Sequence, residues 1–260
     1  QMKVYKAPDT TPITVLFVPG LSTNSWNRIG VPYLDENVAA ARALGLSARR
    51  LAIKTENGVA ANARYIAGEI RAEIANHRKV IVVAHSKGAT DTTAALASDP
   101  KLRAGVYGVV AIQPVFHGSP VAEFVASQRY LVMPFVKLVF EQVFKGQASA
   151  VTDLTAGARA SYLKAYPYPA AQIRTVVVRS SFDRKLSKSI LWANQKLITQ
   201  VTRAPNDGMV RPADATIPGA AVTLDYDDLD HFEPGLRGES RHTPVDMTSR
   251  LLLVLMGLAR

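Results

Sequence analysis

The chain has 260 residues, 48% of them hydrophobic and 20% charged, with no cysteine. That composition excludes disorder and fibrous repeats, and the lack of thiols excludes disulfide scaffolds, thiolate metal sites, Fe–S clusters and a cysteine nucleophile. The 31 Lys and Arg outnumber the 21 Asp and Glu, for a net charge of +10. The basic residues are scattered, as in Arg49–Arg50 and Arg78–Lys79, with no basic tail or Arg/aromatic repeat, so no nucleic-acid partner is expected.

The length suits one domain over residues 1–260. In chain order, Ile13–Val18 reads as a buried strand closed by Pro19–Gly20, Pro32–Leu44 as a helix, and Ala48–Ile53 as the next strand. Asn57 is placed to cap a helix carrying apolar residues at Val59, Ala63, Ile66, Ile70 and Ile74. Val80–Ala84 is a continuous apolar run, suited to a strand covered on both faces. An Ala-rich helix follows to about Ser98, stopped by Asp99–Pro100. Val106–Ile112, Ile173–Val178 and Ala221–Tyr226 complete six strands. A helix from Thr243–Pro244 through Ala259 ends the chain, its Leu251–Leu255 run expected in the core.

Strands alternating with helices predict an α/β fold with a largely parallel sheet flanked by helices. Residues 115–169 interrupt the alternation. The segment is too long for a simple connection, its stretch from Tyr130 to Phe140 reads as helical, and it is expected to form a cap over the carboxyl edge of the sheet. No apolar run reaches the roughly 18 residues a bilayer-spanning helix needs. The nearest, Tyr130–Phe144, contains Lys137 and Glu141, so no stable membrane insertion is expected. No signal-peptide pattern is visible. With Met2 as the native start a cytoplasmic location is expected, and with Gln1 as a processed end an exported one.

The chemistry concentrates in Ala84-His85-Ser86-Lys87-Gly88, set between a strand and a helix. This is the pattern of a nucleophile elbow with Ala at the first small position. Such a turn projects the Ser86 hydroxyl free of the sheet, and Ala84 and Gly88 let strand and helix approach. A serine needs a base. Of five histidines, His77 ends a surface helix, His85 points away from the nucleophile as a packing residue, His117 opens the insertion and His242 caps the last helix. His231, just after the final strand in Asp227-Asp-Leu-Asp-His-Phe-Glu233, is the expected base. Asp207, in Asn206-Asp-Gly-Met-Val210, is the expected acid, with Asp183 its rival. Oxyanion donors are expected at the backbone amides of Lys87 and Leu21, the latter in the loop after the first strand. The Lys87 side chain is expected on the helix surface. Ser22, Trp26 and His117 are candidates for the substrate pocket.

These residues resemble the α/β-hydrolase fold and, within it, bacterial triacylglycerol lipases and related polyester-cleaving esterases. The likeness takes in Val15–Leu21 as the oxyanion strand and loop, Phe116–Glu123 and Asp153 through Tyr166–Pro167 as the two ends of a cap, Asn206–Val210 as the acid motif, and Asp230–Glu233 as the histidine motif. It implies a serine hydrolase that cleaves carboxylic esters of a small molecule, lipid or polyester through a Ser86–His231–Asp207 triad and an acyl-enzyme, without a cofactor. Lysophospholipids, hydroxyalkanoate polyesters, thioesters and amides stay open as substrate classes, and a non-catalytic binding or effector protein on the same fold is the alternative. Secreted lipases of this kind often bind calcium beside the histidine loop. Here that neighbourhood offers Glu233 and Arg237, and a cation opposes calcium, so no required metal is expected.

Overall fold

The computed structural model describes residues 11–23, 30–127, 149–183 and 191–257. Six strands, β1 (Ile13–Val18), β2 (Ser47–Arg50), β3 (Lys79–His85), β4 (Val106–Ile112), β5 (Thr175–Ser180) and β6 (Val222–Tyr226), form one parallel sheet in the order β2-β1-β3-β4-β5-β6. The register brings Val18 beside Ala84, His85 beside Ile112, and Ile112 beside Val178, so the central strands finish at one edge. The strand order reverses between β1 and β3. Open parallel sheets form a crevice at such a switch point, outside the carboxyl ends of the strands.

Both faces of the sheet are buried, which is why the middles of β3 and β4, Val80–Ala84 and Val109–Ile112, are continuous apolar runs rather than alternating. Val15, Phe17, Ile81, Val83, Val110 and Ile112 face a core shared with α1 (Asp35–Ala43) and α8 (Pro244–Met256). Leu16, Val18, Val82, Ala84, Val109 and Ala111 face the core of α2 (Val59–Ala75) and α3 (Lys87–Ser98). Leu251, Leu252 and Leu255 are buried, as their run suggested. Helix α8 begins on Thr243, whose hydroxyl accepts from the Asp246 amide at 3.1 Å, and ends at Gly257 with φ 76°. No helix among the described residues is long and apolar enough to cross a membrane.

Three local expectations are corrected. Helix α2 starts from Gly58 rather than being capped by Asn57, because Asp153 reaches across from the 115–169 segment and accepts the Val59 amide at 2.8 Å. Helix α1 starts at Asp35, and Tyr33 belongs to the turn before it, with Leu34 at φ 66°. His242 does not cap α8; its ring packs edge-on against Tyr226 and its Nε2 lies 3.5 Å from Asp228.

The described parts of the 115–169 segment are α4 (Pro120–Ala126), α5 (Ser149–Thr152) and α6 (Ala156–Ala165). Val121, Phe124, Val151 and Leu154 join the larger core, and the Glu123 carboxylate accepts the Ala156 amide at 2.6 Å, tying the two ends of the segment together. The helical stretch expected from Tyr130 to Phe140 lies outside the described residues. One helix not singled out from sequence, α7 (Trp192–Thr202), lies between β5 and β6 and packs behind the Asp207 loop.

Candidate active site

Ser86 sits where β3 becomes α3, at φ 54° and ψ −128°, a conformation that L-residues occupy only under strain. Its amide continues the strand ladder to the Ile112 carbonyl at 2.9 Å, and its own carbonyl accepts the Ala89 amide at 3.0 Å as the helix begins. The turn is this tight because Gly88 lets α3 press on the end of β1. A Cβ there would run into the Pro19 carbonyl and stand 2.7 Å from the Val18 oxygen. Gly20 also brings the loop after β1 close, since a Cβ on it would lie 3.1 Å from the Ser86 Cβ.

The Ser86 Oγ lies 2.7 Å from His231 Nε2, and His231 Nδ1 lies 2.8 Å from Asp207 Oδ2. All three residues are buried, Ser86 at 8% exposure being the most accessible. The other Asp207 oxygen accepts two backbone amides, Met209 at 2.9 Å and Val210 at 2.7 Å, and the Asp207 carbonyl accepts the His231 amide at 2.9 Å. Asn206 anchors this loop, its amide nitrogen donating to Thr199 at 3.0 Å and its oxygen accepting from Gly208 at 3.0 Å. Gly208, at φ 92°, packs where a side chain would strike Leu191. Asp183 is exposed, and it is Asp207 that meets the imidazole.

The histidine loop is braced by carboxylates. Asp230 Oδ1 accepts the Phe232 and Glu233 amides at 2.7 and 3.0 Å. Glu233 accepts the amides of Asp230, Glu239 and Ser240, and burial pushes its carboxyl above the usual range. Arg237 turns outward to Glu36 at 2.9 Å. Among the described residues no group of three or more His, Asp or Glu side chains is arranged to hold a metal ion.

Lys87 is the first residue of α3, where the amide has no intrahelical acceptor. Its side chain is not on the surface: it is 1% exposed, with Nζ 2.9 and 2.8 Å from the two Asp91 oxygens. It is drawn inside because Asn62 on α2 also donates to Asp91 at 2.9 Å and completes a buried polar cluster between the helices. Burial raises the Asp91 carboxyl to about 6, even with Lys87 beside it. Leu21 packs against the larger core, and Ser22 is buried at φ 73°. His117 packs edge-on to Phe116 and its amide donates to the Asp214 carbonyl at 2.8 Å. Trp26 lies outside the described residues.

His85 is buried and packs against its neighbours. Its ring centre is 4.9 Å from that of His231, because the histidine loop passes over the ends of β3 and β4. Tyr33 and Gln113 flank it, and Gln113 reaches on to Ser180, in a polar layer that sequence reasoning missed. Gln113 directly follows the last apolar residue of β4 and Ser180 closes β5, and those positions at the carboxyl edge were the one signal that pointed to them.

No protein-family model matches the chain, and no curated protein matches it. Solved structures do. The chain is similar to the mature form of the Bacillus licheniformis lipase BlEst2, with 20% identity over 100% of this chain and 96% of that one and a TM-score of 0.71. It is similar to the metagenomic carboxyl esterase MGS0156, with 24% identity over 99% and 78% of the two chains and a TM-score of 0.74. Lipase 1 from Pelosinus fermentans shares 12% identity over 96% and 99%, with a TM-score of 0.67. At these identities the likeness is one of architecture: the chain has the α/β-hydrolase fold.

Proposed function

We propose that the protein is a serine hydrolase acting on carboxylic esters. The observation that carries this reading is the continuous hydrogen-bonded line from Ser86 through His231 to Asp207, set on a strained strand-to-helix turn. The Ser86 Oγ attacks the ester carbonyl as its proton passes to His231 Nε2, and Asp207 stabilises the resulting imidazolium. The first turn of α3 and the Gly20–Leu21 loop supply amides for the oxyanion, with Lys87 and Leu21 as the donors proposed. The tetrahedral intermediate collapses, the carbon–oxygen bond to the alcohol breaks, and His231 returns its proton to the leaving oxygen. Water then enters, gives a proton to His231 and attacks the acyl-enzyme. Collapse frees the acid and returns the proton to Ser86. Every proton transfer falls to His231, and each group named belongs to this chain. The lipase and carboxyl esterase neighbours support the choice of ester over other acyl substrates.

The test is hydrolysis of nitrophenyl esters with short and long acyl chains by wild type and Ser86→Ala. Turnover by the wild type and a loss of order 10⁴-fold or more in the variant, with the melting transition retained, is the expected result. Equal activity in the two proteins contradicts the assignment, and a well-folded wild type inert on every ester favours a binding protein built on the same fold.

A further inference from the structure

Against the His231 imidazole lies a second histidine that the proposed reaction does not use. His85 is 2% exposed, and both its ring nitrogens are engaged. Its Nδ1 meets the Tyr33 hydroxyl and its Nε2 lies 2.9 Å from Gln113 Oε1. Gln113 is fully buried at φ 46°, a second strained position one strand over from Ser86.

The protons in this layer follow from what each partner can do. The Gln113 side-chain nitrogen lies 3.0 Å from the Asp230 carbonyl, which only accepts, and it also reaches the Ser180 hydroxyl. The amide is thereby oriented with its oxygen towards His85, so His85 Nε2 carries a proton. The Tyr33 hydroxyl takes the Gly20 amide as a donor and gives its own proton to His85 Nδ1. The titratable groups facing His85 are Tyr33 and His231, and neither offers it a negative charge. Burial lowers its basicity to about 3, in keeping with a neutral ring.

One connected layer thus joins the Gly20 loop, the ends of β3, β4 and β5, and the backbone of Asp230–His231. We propose that His85, held as a neutral Nε2–H imidazole between Tyr33 and Gln113, is a positioning residue that keeps the catalytic base and the oxyanion loop in register with Ser86. The proposal rests on the hydrolase reading of the site. Its neutrality also spares the His231 imidazolium formed in turnover from a cationic neighbour 4.9 Å away.

The experiment combines nuclear magnetic resonance and kinetics on the whole chain. In protein labelled with ¹⁵N-histidine, long-range ¹H–¹⁵N correlation between pH 8 and 4.5 is expected to show one ring, absent in His85→Gln, that keeps the neutral Nε2–H pattern throughout. Titration of that ring near its ordinary value, or an Nδ1–H pattern, overturns the proposal. His85→Leu is expected to lose about 10²-fold in kcat with KM nearly unchanged, the scale of a displaced catalytic group. His85→Gln, which keeps an N–H donor at that place, is expected to recover about tenfold or more. Tyr33→Phe fills the same space without the hydroxyl and carries the test if His85→Leu fails to fold. It is expected to lower kcat about tenfold and to broaden the low-field Nδ1–H proton shared by His231 and Asp207. Wild-type kcat and an unaltered low-field proton in Tyr33→Phe overturn the proposal. If no ester is turned over by any form while the low-field proton still depends on Tyr33, the hydrolase reading fails and the positioning role stands.

Discussion

Asp207 shows how firmly single atoms are assigned in this site. Its Oδ1 is taken by the Met209 and Val210 amides, which leaves Oδ2 to face His231 Nδ1. In Asp207→Asn those two donors hold the amide oxygen in place and turn the NH₂ towards the imidazole. His231 then accepts at Nδ1 and carries its proton on Nε2, where it can no longer take the Ser86 proton. The expected outcome is a fall in kcat of about 10³–10⁴-fold with the fold and KM largely kept, read from steady-state kinetics on a nitrophenyl ester. A loss below tenfold would show that another group orients the base. Ser86, Asp207 and His231 were legible in the sequence because each lies in a short local pattern, an elbow, an Asn-Asp-Gly turn and an acidic loop after the last strand. The partners of His85 were not legible, for the complementary reason. Its surroundings come from Tyr33, Gln113 and the His231 loop, which no local pattern brings together.

At the scale of elements, the sheet and its helices were readable from apolar runs and turn residues, and the differences lie where a distant side chain intervenes. Asp153 moves the start of α2, and Asp91 with Asn62 draws Lys87 into the interior. The i to i+4 spacing of Lys87 and Asp91 was visible, but the same spacing on a solvated helix face is far commoner. The buried pair makes an energetic prediction. Lys87→Met leaves Asp91 buried without its cation and is expected to cost about 3–5 kcal/mol, whereas Lys87→Met with Asp91→Leu is expected to cost markedly less. Urea unfolding of both variants checks this, and equal losses would mean that the ion pair itself stabilises the helix packing. At the two ends of the 115–169 segment, Glu123 ties α4 to α6 and Asp153 ties the segment to the start of α2.

For the whole molecule, the buried histidine ties stability to pH. The folded-state value of His85 is about 3, below the ordinary 6.5, so between these values the unfolded chain binds more protons and stability falls with acidification. His85→Gln removes that proton uptake. Between pH 6 and 4.5, wild type is expected to lose about 1.4 kcal/mol per pH unit more than the variant, measured from urea midpoints. Asp91, raised to about 6, titrates with the opposite sign and is present in both proteins, so the comparison cancels it. Parallel pH profiles would show that His85 titrates in the fold as it does unfolded. On the proposed function, this sheet, elbow and histidine loop together activate one serine. Intact mass after exposure to a fluorophosphonate tests it most directly. A single adduct on the wild type and none on Ser86→Ala is the expected result, and an unmodified wild type that is fully folded, or an adduct that survives in the variant, contradicts an activated Ser86.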